Sequence, residues 1–106
     1  MKMFAVIYRG FIRPGFEKDY QKAWNTIAVY FLKNCGAYGS ALHQTEKGEW
    51  IAYSRWPSKE VRDQAWVDQH ALPEEIKKAI QTLKNCTDPN KPSDEIPMGL
   101  IKDLLT

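Results

Sequence analysis

The segment WIAYSRWPSKEVRDQAW, from Trp50 to Trp66, constrains the fold more than any other part of the chain. Trp50 to Trp56 is rich in aromatic and β-branched residues and predicts a strand. Pro57 stops it, because proline has no N–H to give to a ladder. Ser58 supplies a side-chain oxygen for the orphan amides of a helix. That helix, expected from Ser58 to about Asp68, turns Val61, Ala65 and Trp66 toward whatever it covers. The segment is thus a strand, a sharp corner and a helix returning over the sheet.

The first strand, expected from Met3 to Ile12, adds a second constraint. Phe4, Val6, Tyr8 and Ile12 share one face, and Met3, Ala5, Ile7 and Phe11 share the other. Both faces are apolar, so both require a cover. Arg13-Pro14-Gly15 is a turn. A helix follows from about Phe16 to Lys33, with Phe16, Tyr20, Ala23, Trp24, Ile27 and Phe31 in one stripe. Gly36 is placed to end it in the left-handed region. Ala37 to Glu46 and Glu49 to Trp56 predict a hairpin turning at Lys47-Gly48.

Pro73 opens a further helix at its first position, with Glu74 and Glu75 beside the positive end of the dipole. Its stripe is Leu72, Ile76, Ala79, Ile80 and Leu83. The proline-punctuated run from Asn85 to Pro97 reads as a loop. Met98 to Leu105 reads as the last strand. The order β-α-β-β-α-(α)-β is that of a ferredoxin-like α+β fold, βαββαβ with an extra helix at 73–84. The sheet is then antiparallel with helices on one face. The other face still carries Met3, Ala5, Ile7 and Phe11, and a bare apolar face of that size is unusual on a monomer. A two-fold homodimer is therefore expected.

A length of 106 residues fits a single domain, 1–106. The formal net charge of +2, without a basic cluster, argues against nucleic acid. No stretch approaches the ~18 apolar residues of a membrane span, and the N-terminus lacks the pattern of a signal peptide. Cys35 and Cys86 read as free thiols, and the expected compartment is the cytoplasm. No metal is expected, because two histidines and two distant cysteines form neither HExxH nor CxxC. Glycine-rich phosphate loops and nucleophile elbows are absent as well.

The Pro14-Gly15-Phe16-Glu17 helix entry, Trp24 in mid-helix, the Gly36 to Leu42 strand and the Arg55-Trp56-Pro57-Ser58 corner followed by Trp66 resemble the antibiotic biosynthesis monooxygenase (ABM) family. The likeness spans roughly Met3 to Trp66. It implies a dimeric α/β barrel, two sheets packed face to face, and a pocket between each sheet and its helices. It also implies small cofactor-independent oxygenases of phenolic substrates, haem-degrading enzymes, or non-catalytic relatives. The haem-degrading members use an Asn on the first strand, a Trp on the second helix and a His farther along. Trp66 matches that tryptophan, but the first strand has no Asn.

The candidate catalytic residues are His70, His43 and Arg55. His70 lies four residues after Trp66 and can take a phenolic proton near neutral pH, unless it only ends the helix. His43 sits with Gly39 and Ala41 on a small-residue face, open to a ligand or to a dimer seam. Arg55 either steadies a phenolate or pairs with a carboxylate. Trp66, Tyr53, Trp24 and Tyr8 are the candidate ring-binding residues, against the alternative that aromatic stripes are core. Three functions compete. The first is a cofactor-free monooxygenase of an aromatic phenol. The second is a module that binds a small apolar ligand or a partner protein. The third is haem cleavage.

Overall fold

The computed structural model describes residues 3–67 and 71–105. The elements are β1 (Phe4–Gly10), α1 (Glu17–Asn34), β2 (Gly39–Gln44), β3 (Trp50–Trp56), α2 (Lys59–Val67), α3 (Glu74–Cys86) and β4 (Asp94–Gly99). The four strands form one antiparallel sheet in the order β2-β3-β1-β4, which is the ferredoxin-like arrangement.

Strand alternation and register sort every side chain to one of two faces. Tyr8 lies opposite Ala52, and Val6 opposite Ser54. The even-numbered residues of β1, β2 and β3 therefore share the face against the helices. Phe4, Val6 and Trp56 on that face meet Ala23, Ile27 and Phe31 of α1 in the main core. Ile76, Ala79 and Ile80 of α3 complete it, and Val61, Ala65 and Trp66 of α2 pack at its edge.

The corner at Pro57 forms as the sequence predicts. Ser58 is buried, and its Oγ accepts the backbone N–H of Val61 at 3.2 Å. The end of α1 does too: Gly36 takes φ +79°, and the amide of Ala37 returns to the Phe31 carbonyl at 3.3 Å. Pro73, expected at the first helical position, is instead the residue that caps α3, with ψ at 151°. Its carbonyl accepts from the amides of Ile76 and Lys77.

The C-terminal third corrects the sequence reading. The last strand is Asp94–Gly99, not Met98 to Leu105, so it starts inside the stretch read as a loop. Pro97 argued against a strand there, yet it is tolerated for a geometric reason. Leu100 donates to the carbonyl of Met3 at 3.0 Å, so the register makes Ala5 with Met98 and Ile7 with Ile96 the hydrogen-bonded pairs. Pro97, opposite Val6, then points its nitrogen away from β1, toward the free edge of the sheet. Beyond Leu100 the chain leaves the sheet, and Ile101, Leu104 and Leu105 are more than four-fifths exposed.

The opposite, odd face carries Ala5, Ile7, Ile51 and Tyr53, joined by Ile96 and Met98 of β4, where the parity reverses; all are half-buried and met by no helix of the described residues. Two ion pairs flank it. Arg9 meets Asp94 at 2.9 Å, and Arg55 meets Asp103 of the C-terminal tail at 3.0 Å.

Candidate active site: an aromatic cleft between sheet and helices

A cleft of about 370 Å³ opens between the even face of the sheet and the helices. Its floor is Tyr8, Gly10, Trp50, Ala52 and Trp56. Ala52 makes room at the centre, because its single methyl leaves a gap between the flanking tryptophans and beside Tyr8, its cross-strand partner. The wall is the stripe of α1 through Tyr20, Trp24, Ile27, Ala28 and Phe31, residues that helical periodicity sets on one side. Trp66 enters from α2, and Leu83, Lys84 and Thr87 close the far side.

The rings interlock at edges. Trp66 stands against Phe31 at 5.0 Å and 70°, and Phe31 meets Trp56 at 5.7 Å. Tyr20 and Trp50 form a second T-shaped pair at 5.6 Å. Edge-to-face contacts of this kind hold the rings in fixed orientations. The lining therefore presents preset aromatic surface to anything that enters.

Charge is confined to the rim and largely compensated there. Arg9 pairs with Asp94 and lies 3.8 Å from Glu49. Glu95 pairs with Arg62 of α2. Burial pushes the Tyr20 phenol above the usual tyrosine range, with Cys86 adding to the effect, so the ring stays neutral. Burial likewise raises both thiols, Cys35 and Cys86. Neither is a poised nucleophile, which would need a lowered pKa.

Of the residues singled out in the sequence, Tyr8, Trp24 and Trp66 line this one cleft. Tyr53, Arg55 and His43 do not. Their odd register puts them on the opposite face of the sheet, with Tyr53 across from Ile7 and His43 across from Ile51. Arg55 is committed to Asp103. His43 is exposed, and it borders a second, more open depression beside Trp24 and Trp50. His70 lies outside the described residues. Trp50 and Trp56 of the cleft lining, and Arg62 beside it, are not among the candidates singled out in the sequence. The first two were findable: Trp56 precedes the corner into the covering helix, so parity carries Trp50 and Ala52 to the same side.

No protein-family model matches the chain, and no curated protein matches it. Solved structures do. SnoaB, a cofactor-independent oxygenase from Streptomyces nogalater, superposes over 100% of both chains with a TM-score of 0.75 at 11% identity. A protein of Caulobacter crescentus provisionally described as an antibiotic biosynthesis monooxygenase covers 95% of this chain and 92% of its own, with a TM-score of 0.73 at 12% identity. Rv0793 from Mycobacterium tuberculosis covers 96% and 98%, with a TM-score of 0.72 at 14% identity. The chain is therefore an α+β protein with the fold of the antibiotic biosynthesis monooxygenases, the ferredoxin-like protomer on which dimeric α/β barrels are built.

Proposed function

We propose that the cleft is the active site of a cofactor-independent monooxygenase acting on an aromatic, phenolic substrate. The observation that carries this reading is the lining itself. Trp24, Trp50 and Trp66 together with Tyr8 and Tyr20 surround a space large enough for fused rings, with charge held at the rim. The likeness to SnoaB, a cofactor-independent oxygenase, agrees with it.

The chemistry sets what such a site must supply. Without a cofactor the substrate gives all the electrons. An activated ring methylene and one O₂ become a ring carbonyl and one water. A base removes a proton, the resulting carbanion reduces oxygen, and a C–O bond forms before water leaves. The protein's tasks are to take the proton, to stabilise the anion's oxygen and to exclude bulk water. Trp66, Trp24 and Tyr8 hold the ring in this reading. His70, four residues beyond Trp66 in the sequence, is the proton acceptor to be tested. Tyr53, Arg55 and His43 serve the other face, which a second copy of the chain covers to form a homodimer. No described helix is long and apolar enough to cross a membrane, and the proposed compartment is the cytoplasm.

Oxygen consumption with anthrone-like phenols tests the reaction. Turnover by the native protein, lost in His70→Ala, is the expected result; no uptake across a panel of such phenols would exclude it. One observation favours a second reading. No histidine lines the cleft among the described residues, which suits a module that binds an aromatic ligand without converting it. Quenching of tryptophan fluorescence by the same phenols, without oxygen uptake, identifies that case.

A further inference from the structure

Arg62 of α2 reaches across to the sheet at one place, where Tyr8 of β1 and Glu95 of β4 stand side by side. Tyr8 and Glu95 are register partners. They form a non-hydrogen-bonded pair of the antiparallel ladder, the kind in which side chains stand closest. The Arg62 side chain is only 15% exposed, and its guanidinium pairs with the Glu95 carboxylate. It also donates from Nη2 to the Tyr8 hydroxyl at 3.3 Å, and from Nη1 to Asp63 at 3.2 Å. Both Tyr8 and Glu95 line the cleft.

The direction of the Arg62–Tyr8 bond matters. A guanidinium has five donors and no acceptor. The Tyr8 oxygen must therefore be the acceptor, so its own O–H cannot point back at Arg62. Among the described residues that O–H finds no acceptor. Its cross-strand partner Glu95 accepts from Arg62. A phenol accepting from a cation is also a better donor, because bonds in a chain polarise one another.

We propose that Arg62 is a positioning residue, one that fixes Tyr8 as a hydrogen-bond donor into the cleft, and that the cleft selects aromatic ligands bearing an oxygen acceptor at that end. This rests on the reading of the cleft as an aromatic-binding site and deepens it by naming the group recognised. The ring packs among the indoles, and its phenolic or ketonic oxygen takes the Tyr8 proton as a hydrogen bond. In a reacting phenolate the same bond meets the negative charge as it forms.

The test compares two probes of one shape, 2-naphthol and 2-methylnaphthalene, by quenching of intrinsic tryptophan fluorescence. The native protein is expected to bind 2-naphthol roughly tenfold tighter, the range of a hydrogen bond with a partly charged partner. Tyr8→Phe should abolish that preference, bringing the affinity for 2-naphthol down to that for 2-methylnaphthalene. Arg62 is separated from a merely structural role by two variants. Lysine can only donate, so Arg62→Lys keeps the preference. Glutamine also accepts, so Arg62→Gln gives the Tyr8 proton a competing partner and erases the preference, at constant 2-methylnaphthalene affinity. Equal binding of both probes by the native protein, or a preference that survives Tyr8→Phe, overturns the proposal while the aromatic cleft stands. A preference retained in Arg62→Gln overturns the role of Arg62. Failure of both probes to bind overturns the cleft reading together with the proposal.

Discussion

Single residues here do more than one job, and their surroundings decide which dominates. Ile76 is almost fully buried at the centre of the core. Ile76→Ala removes that contact and leaves a cavity, and we expect a loss of about 2–5 kcal/mol in a urea titration. Ser58 is small and polar yet buried, because its oxygen closes the first turn of α2. Ser58→Ala is expected to cost about 1 kcal/mol, with Ser58→Asp, which keeps a capping acceptor, nearer the native value. Trp66 differs from both. It packs on Phe31 and faces the cleft at once. Trp66→Ala should weaken the binding of aromatic probes more steeply than it lowers the unfolding midpoint.

The individual elements show where the sequence was legible. Strands and helices with strong local signals lie within a residue or two of their predicted bounds. The 3.6-residue stripe of α1, the Pro57–Ser58 corner and the Gly36 terminus each encode their geometry in a few neighbouring residues. The last strand was not legible, because its tolerance of Pro97 depends on which side of the strand β1 occupies. That is a tertiary fact with no local trace. The candidate site divided for a similar reason. Tyr8, Trp24 and Trp66 came together, whereas Tyr53 and Arg55 lie on the far face of the sheet. Only the β1–β3 register, which sets Tyr8 opposite Ala52, separates the two groups.

The C-terminal tail is held to the sheet through one carboxylate. The Asp103 carboxylate accepts the backbone N–H of Leu105 at 2.8 Å and pairs with Arg55 at 3.0 Å. These contacts, the backbone bond first, hold its pKa below the usual carboxylate range. A depressed folded-state pKa contributes stability that is complete above the unfolded value and fades as pH falls through the folded one. The tail should therefore lose order on acidification below the ordinary carboxylate range, with no matching change near neutrality. NMR relaxation of the Leu104 and Leu105 amides reads this directly. Asp103→Ala should leave the tail mobile at every pH.

For the whole molecule, the governing question is what covers the odd face. Ile7, Ile51, Tyr53, Ile96 and Met98 form an apolar surface with its flanking charges already paired. Such a surface suits a second copy, because the two-fold axis repeats the same patch on both sides. Sedimentation equilibrium should give the mass of two chains at micromolar concentration. Ile7→Glu, which places a charge at the centre of the patch, should give the mass of one chain with the core of α1 and α3 still folded by circular dichroism. The cleft lies on the other side of the sheet, so Ile7→Glu is expected to leave ligand binding intact.

That separation points to the decisive measurement, oxygen uptake with an anthrone-like phenol by the native protein and by Ala28→Trp. Ala28 lines the cleft from α1 and is not part of the buried core, so a tryptophan there fills the space without disturbing the fold. We expect rapid uptake by the native protein and almost none by the variant, at unchanged thermal stability. Undiminished uptake with the cleft filled would show that the reaction takes place elsewhere and would contradict the assignment of the cleft.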